Sequence, residues 1–235
     1  MLFNCGTCLA GDSKPALPSS KRSERAIETA TPKLDKALKA MGLELGAPVF
    51  IRIFKQPAEL EVWLEHEDAQ FRLFKRYPIC AFSGELGPKQ QMGDMQSPEG
   101  FYFVTPQRLN PWSQFHLSFN LGYPNRYDRH YGRTGSALMV HGDCVSIGCY
   151  AMTDPYIDEI YTLMVSALEN GQPYVRVHAF PFPMTSEALD DKKDHRWHAF
   201  WVNLKQGYDY FEHYRRPPNT EVKSGRYVFE HDTAG

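Results

Sequence analysis

The chain has no long hydrophobic run. Its longest apolar stretches, such as residues 179–183, fall far short of the roughly 20 residues that a membrane-crossing helix needs, so no membrane span is expected. It also lacks charge of one sign, because 26 basic and 28 acidic side chains leave a net charge of −2. That balance excludes strong electrostatic attraction to nucleic acid or anionic lipid, and no nucleic-acid partner is expected. Cysteine is scarce and odd in number: Cys5, Cys8, Cys80, Cys144 and Cys149. At least one thiol is therefore left unpaired. No second CxxC or HxxxH accompanies these residues, so a familiar structural zinc pattern is missing, and neither metal nor cofactor is expected. The first 20 residues, MLFNCGTCLAGDSKPALPSS, lack a basic lead and a sustained apolar core, and so do not read as an intact signal peptide. The Cys5-x-x-Cys8 pair has no strand before it or helix after it to make a thioredoxin-like site.

What is present is enough to build a core. Across 235 residues, 42% are hydrophobic and 14% aromatic. Residues 10–24 read as a flexible leader, followed by a short helix from Lys33 to Met41 that Gly42 ends. VFIRIF, LEVWLE and FRLFKRYPI alternate with period two and predict a three-stranded antiparallel meander. A Gly- and Pro-rich loop from residue 83 returns to strand at Phe101, HLSFNLGYP reads as strand, NRYDRHYGRTG as loop, and SALMVHG as strand. Asp154-Pro155 opens a helix with an apolar face at Ile157, Ile160, Tyr161, Met164, Val165 and Leu168, ended by Gly171. YVRVHAF is a further strand. The tail holds a helix near Trp197 to Leu204, the aromatic segment GYDYFEHY and a strand near Arg226 to Phe229. The pattern predicts a β-rich α+β fold: residues 1–46 as a leader with a short helix, 47–180 as the main domain, and 181–235 as a helical and aromatic extension packed on it.

The densest chemistry lies in LMVHGDCVSIGCYAMTD, residues 138–154. Four readings stand from the residues alone: a thiol nucleophile with its base, a metal cage, a Cys144–Cys149 disulfide, or thiols packed as small hydrophobes. A nucleophilic cysteine needs an imidazole or oriented amides nearby, and His141 at the end of a strand meets Cys149 if the intervening loop folds back. Gly142 and Gly148 provide the turns, and Ser146 has a hydroxyl to hold them.

VHG followed by SIGC resembles the paired signature of the L,D-transpeptidase catalytic domain (YkuD) family, in which a His-Gly element precedes Ser-x-Gly-Cys. The turn Ser97-Pro98-Glu99-Gly100 leading into FYFV is similar to that family's Thr/Ser-Pro-x-Gly turn. The series GPKQ, NLGYPNRYDR, HGDCVSIGCYAMT, IDEIY and GYDYFE most resembles the YafK-like branch of periplasmic murein hydrolases, from about Pro48 to about Tyr227. The resemblance implies a YkuD-like catalytic domain with mixed, sandwich-like sheets. It implies Cys149 as nucleophile, His141 as general base, the Gly142 carbonyl as the group that orients the imidazole, and the Gly148 and Cys149 amides as an oxyanion hole shaped by Ser146. Cys144 matches no catalytic position and is expected to be a bystander.

Two departures qualify the likeness. Only Asp143, Cys144 and Val145 separate the two signatures, where many members carry a longer insertion, and Ala151 stands where the usual pattern has arginine. Both departures belong to the YafK-like branch. Resemblance to it implies periplasmic hydrolysis at the L-centre of meso-diaminopimelate in peptidoglycan stem peptides, with murein-linked outer-membrane lipoprotein as a partner. Alternatives are a true L,D-transpeptidase, a non-catalytic wall-binding module and an antibacterial effector using the same chemistry. Lys89, Arg126, Arg129 and Arg133 are candidate receivers of substrate carboxylates, and Tyr123, Tyr127 and Tyr131 candidate platforms for its aliphatic arm.

Overall fold

A computed structural model describes residues 16–230. The first helix, α1 (Lys21–Lys39), starts well before the expected Lys33 and takes in part of the stretch read as flexible. Ser20 caps it, its hydroxyl accepting from the Ser23 amide while the Ser23 hydroxyl accepts from the Ser20 amide. Ala26, Ala30, Leu34 and Leu38 recur every four residues and are buried, which gives the helix one apolar stripe despite Pro32 in its interior. The Cys5 and Cys8 pair and the beginning of the leader lie outside the described residues.

The expected meander forms as β1 (Val49–Phe54), β2 (Glu59–Glu65) and β3 (Phe71–Pro78). Next come β4 (Ala81–Phe82), β5 (Gly100–Val104), β6 (Leu109–Asn110), β7 (Ser118–Asn120), α2 (Arg126–His130), β8 (Met139–His141), β9 (Tyr150–Ala151), α3 (Asp154–Glu169) and β10 (Val175–Phe180). The chain closes with α4 (Ser186–Asp190), α5 (His198–Tyr214), β11 (Asn219–Lys223) and β12 (Arg226–Glu230). The stretch read as a plain loop after Tyr123 contains α2, because Asn125 and Asp128 cap each other's backbone. GYDYFEHY continues α5 rather than following it.

One sheet has the order β3-β2-β1-β10-β5, with β1 and β10 parallel, and the second has the order β4-β9-β8-β7-β6. The fold is therefore mixed α+β. β1 is buried at all six positions because both faces of its sheet are covered. Val49, Ile51 and Ile53 join α1, α3 and the second sheet's Phe119, Val140 and Tyr150 in one core. α3 is buried on nearly every side, as a helix held between two sheets must be. The other face of the first sheet packs Phe54 and Phe180 against Trp201 and Leu204 of α5 and Tyr227 of β12. Lys55, just after β1, is fully buried 3.0 Å from the equally buried Glu99, which ties the end of β1 to the turn before β5.

Candidate active site

Parallel pairing of β8 with β9 sets Val140 opposite Tyr150 and His141 opposite Ala151. Val140 and Tyr150 point into the core, so alternation along the strands turns Met139, His141, Cys149 and Ala151 to the opposite face. Continuing the register by one residue puts Cys149 beside Met139, and the Met139 amide donates to the Cys149 sulfur at 3.4 Å. His141 and Cys149 are thus ~6.6 Å apart along the strands and ~4.8 Å across them in backbone register. Both line one cleft of about 660 Å³, walled by Asn110, residues 113–115, Ser118, and residues 135–139 and 145–149 with Lys89, Met92 and Gly93.

His141 is 2% exposed, and its Nδ1 lies 2.5 Å from the Gly142 carbonyl oxygen. A carbonyl can only accept, so Nδ1 carries the proton and Nε2 keeps its lone pair. Burial pushes His141 below its ordinary 6.5, while the Gly142 carbonyl and the Asp143 carboxylate pull it upward. Phe115 covers the ring at 4.9 Å between centroids. Gly142 has to be glycine: a Cβ there would sit 2.5 Å from the Asp154 Oδ1 that accepts from the Asp143 amide.

Cys149 is the free thiol among the described residues. Burial pushes it above its ordinary 9.0, and the Met139 amide and the Lys89 charge pull against that rise. Its sulfur also approaches the Ala137 carbonyl at 3.8 Å. Thiol and imidazole are both driven toward their neutral forms. Gly148 turns the chain at φ +135°, a conformation few other residues adopt. Ser146 holds that turn, its hydroxyl donating to the Cys149 carbonyl at 2.7 Å and accepting from the Gly148 amide at 3.2 Å. That amide is engaged with Ser146 here, so an oxyanion would have to displace the hydroxyl to use it.

Ser97 was visible in the sequence only as part of a turn. Its buried hydroxyl donates to the Cys149 carbonyl at 3.0 Å and accepts from the Ser83 amide at 3.2 Å. The carbonyl of Cys149 is therefore clamped by two serines. The loop that brings Ser97 there is folded around Asp94, which accepts from the Gln90, Gln91 and Gln96 amides.

Cys144 is not a bystander. It is joined to Cys80, 64 residues away and immediately before β4, so the turn between His141 and Cys149 is bonded to the sheet edge. This pairing displaces both the metal cage and the Cys144–Cys149 disulfide, since the Cys144 sulfur is committed elsewhere. The spacing could not disclose it: Cys80 is remote in sequence, and β4–β9 pairing alone brings it near.

Of the seven residues expected to touch substrate, Lys89 alone lines the cleft. Its ammonium is buried, paired with the Asp94 carboxylate and donating to the Gln91 carbonyl at 2.8 Å. Tyr123 stands behind it, the hydroxyl donating to the Lys89 carbonyl at 3.2 Å. The others are not brought to the cleft. Arg133 is paired with buried Asp128 at 2.7 Å and lies over the Tyr127 and Phe200 rings. Tyr127 stacks on Tyr227 at 4.4 Å, and the Tyr131 hydroxyl donates to the Gly225 carbonyl at 2.9 Å. Exposed Arg129 donates to the Pro124 carbonyl, and Arg126 lines a separate groove beside β5 and β12. An aromatic and basic segment reads equally well as a ligand loop or as a cation-filled core, and here the C-terminal rings decide for the core.

The L,D-transpeptidase catalytic domain (YkuD) family matches residues 58–168, a span running from β2 to the end of α3 and holding both His141 and Cys149. Over 184 residues the chain is 49% identical to "Putative L,D-transpeptidase YafK" of Escherichia coli (strain K12), covering 78% of this chain and 74% of that one. The protein of the same name from Escherichia coli O157:H7 matches with the same identity and coverage. Among solved structures, the chain is similar to the helical cell shape determining protein Pgp2 from Campylobacter jejuni at 17% identity and a TM-score of 0.45, covering 81% of this chain and 80% of that chain. It is also similar to Bdellovibrio bacteriovorus Bd1075 at 19% identity and a TM-score of 0.40, with 68% and 58% covered.

Proposed function

The chain belongs to the L,D-transpeptidase catalytic-domain family, a family of cysteine-dependent enzymes acting on peptidoglycan, and from that premise we propose that it is a periplasmic peptidoglycan amide hydrolase. The observation that carries the reading is the pairing of a buried, tautomer-locked His141 with a free Cys149 thiol on one face of the β8–β9 pair and in one cleft. His141 Nε2 takes the thiol proton as sulfur attacks the carbonyl at the L-centre of meso-diaminopimelate. Collapse of the tetrahedral adduct breaks the C–N bond, and the departing amine takes the proton from His141. A thioester to Cys149 remains. Water then attacks that thioester with His141 as base, giving a carboxylate and restoring the thiol.

Ala151 supports hydrolysis over cross-linking. The position is fully buried opposite His141, and among the described residues no arginine lines the cleft to hold an incoming anionic stem peptide. The favoured bond is the amide from diaminopimelate to a lysine of murein-linked outer-membrane lipoprotein, in keeping with the resemblance to the YafK-like branch.

Purified sacculi separate the possibilities. Wild type is expected to release lipoprotein with a free lysine amine and to leave a free carboxylate on the stem peptide, and Cys149→Ala to release none. Accumulation of a new amide when an amine acceptor is added would make the enzyme a transpeptidase, and release by Cys149→Ala would remove the cysteine mechanism altogether.

A further inference from the structure

We propose that helix α1 is a working part of this active centre, with Arg22 as a positioning residue that holds the 110–117 wall of the cleft against His141. The inference rests on the reading of His141 as the base. α1 lies outside the residues matched by the family, which begin at 58.

The brace is a set of three hydrogen bonds. Arg22 Nη1 donates to the Ser113 carbonyl at 2.7 Å and to the His116 carbonyl at 2.6 Å, and the Ser20 hydroxyl donates to the Pro111 carbonyl at 2.9 Å. Between the two carbonyls held by Arg22 lies Phe115, whose ring covers that of His141. The Phe115 and Leu117 carbonyls both accept from the Gly142 amide, at 3.1 and 3.2 Å, and the Gly142 carbonyl in turn faces His141 Nδ1. The wall is thus connected to the imidazole through a ring contact and through the backbone that sets its tautomer. Phe115 is 41% exposed, so about two fifths of its surface has no packing to hold it. The other anchor is on α3, where Asp158 lies 2.7 Å from His116 Nε2. The wall is clamped from two helices, by the Arg22 guanidinium on α1 and the Asp158 carboxylate on α3.

Release of the wall would let water reach the imidazole and undo part of the burial that depresses it. The titratable groups on the elements around His141 are Asp143 in the next turn, Cys149 on the neighbouring strand, His116 with Asp154 and Asp158 at the start of α3, and Lys89 with Asp94 across the cleft. None of them is removed when Arg22 is replaced, but the guanidinium is itself a cation whose loss also favours a protonated imidazole. A shift in His141 that Phe115→Ala shares, with no charge removed, therefore reports movement of the wall.

The test is an NMR titration of the His141 side chain in the full chain, comparing wild type with Arg22→Ala and Arg22→Lys, alongside release from sacculi. Arg22→Ala is expected to raise the His141 midpoint toward 6.5 and to lower turnover roughly tenfold, because it removes both charge-assisted hydrogen bonds to the wall. Arg22→Lys, which keeps the charge and can reach one of the two carbonyls, is expected to recover part of both. Phe115→Ala should move the midpoint in the same direction, and combining it with Arg22→Ala should add little. An unchanged midpoint with only a lower melting temperature would overturn the proposal and leave α1 as a strap; if Arg22→Ala does not fold, Phe115→Ala and Arg22→Lys decide. The titration needs no substrate, so wild-type protein that releases nothing from sacculi would overturn the hydrolase reading without touching this result.

Discussion

The Nδ1 atom of His141 lies 2.5 Å from the carbonyl oxygen of Gly142, its own neighbour in the chain. The imidazole is oriented by backbone rather than by an acidic side chain, so no carboxylate in direct contact holds its pKa up, and burial has lowered it. A base with a depressed pKa is available in its neutral form at lower pH. Activity on sacculi is expected to persist below pH 6.5 and to fall only beneath that value as His141 takes up a proton. An acidic limb at or above 6.5 in the pH profile of kcat/KM would contradict it. The stability sign agrees: the unfolded chain binds the proton first, so this group's contribution is present above 6.5 and lost as pH falls.

Cys149 is expected to rest as a neutral thiol. Because burial raises it and the Met139 amide only partly offsets that, alkylation by iodoacetamide should be slow at pH 7 and should rise with a midpoint above 9.0. Peptide mass mapping isolates residue 149 from Cys5 and Cys8. A reaction rate that is already flat below pH 7 would indicate a preformed thiolate and imidazolium instead.

The Cys80–Cys144 bond should matter to stability and to the site. Cutting a cross-link with 64 residues of sequence separation is expected to cost about 2–4 kcal/mol. Cys144→Ser should lower the urea midpoint accordingly, and Cys80→Ser should do the same. Asp143 and Cys144 both have left-handed backbones, at φ 64° and 41°, which two non-glycine residues hold only when constrained. Activity is therefore expected to fall with the disulfide. Equal urea midpoints for wild type and both variants would show that the bond does not bear on the fold.

Lys55 and Glu99 should respond unequally. Lys55→Met leaves a buried carboxylate, still accepting from the Gly87 amide and Trp201 Nε1, with no cation beside it. The expected loss is about 3–5 kcal/mol. Glu99→Gln keeps an acceptor and leaves a lysine whose pKa burial has already lowered, so it can shed its proton, and the loss should be smaller. Chemical denaturation at pH 7 checks the order, and a reversed order would count against this account.

Much of the frame was legible. Alternation in VFIRIF, LEVWLE and FRLFKRYPI predicts the meander, and one apolar face after Asp154-Pro155 predicts α3. α1 begins before the expected Lys33 because packing of Ala26 and Ala30 before Pro32, with Leu34 and Leu38 after it, carries the helix through. β11 gave little signal, being half exposed along its length and defined mainly by pairing with β12. At the site, His141, Gly142, Ser146, Gly148 and Cys149 stood out as one short segment. Ser97, Cys80 and Arg22 did not, since each reaches the site from a distant part of the chain.

The sequence by itself determined the local chemistry of this protein. Period-two alternation in the strands, one apolar helical face after Pro155, and a histidine and a cysteine eight positions apart with two glycines between them are properties of contiguous residues. Tertiary structure alone decided the partners. Sheet pairing joins Cys80 to Cys144, the Ser97 turn clamps the Cys149 carbonyl, helix α1 reaches the cleft wall, and Arg133 and Tyr127 go into an aromatic core instead of the cleft. Those choices depend on which surfaces bury together, a property of the whole fold that spacing along the chain does not encode.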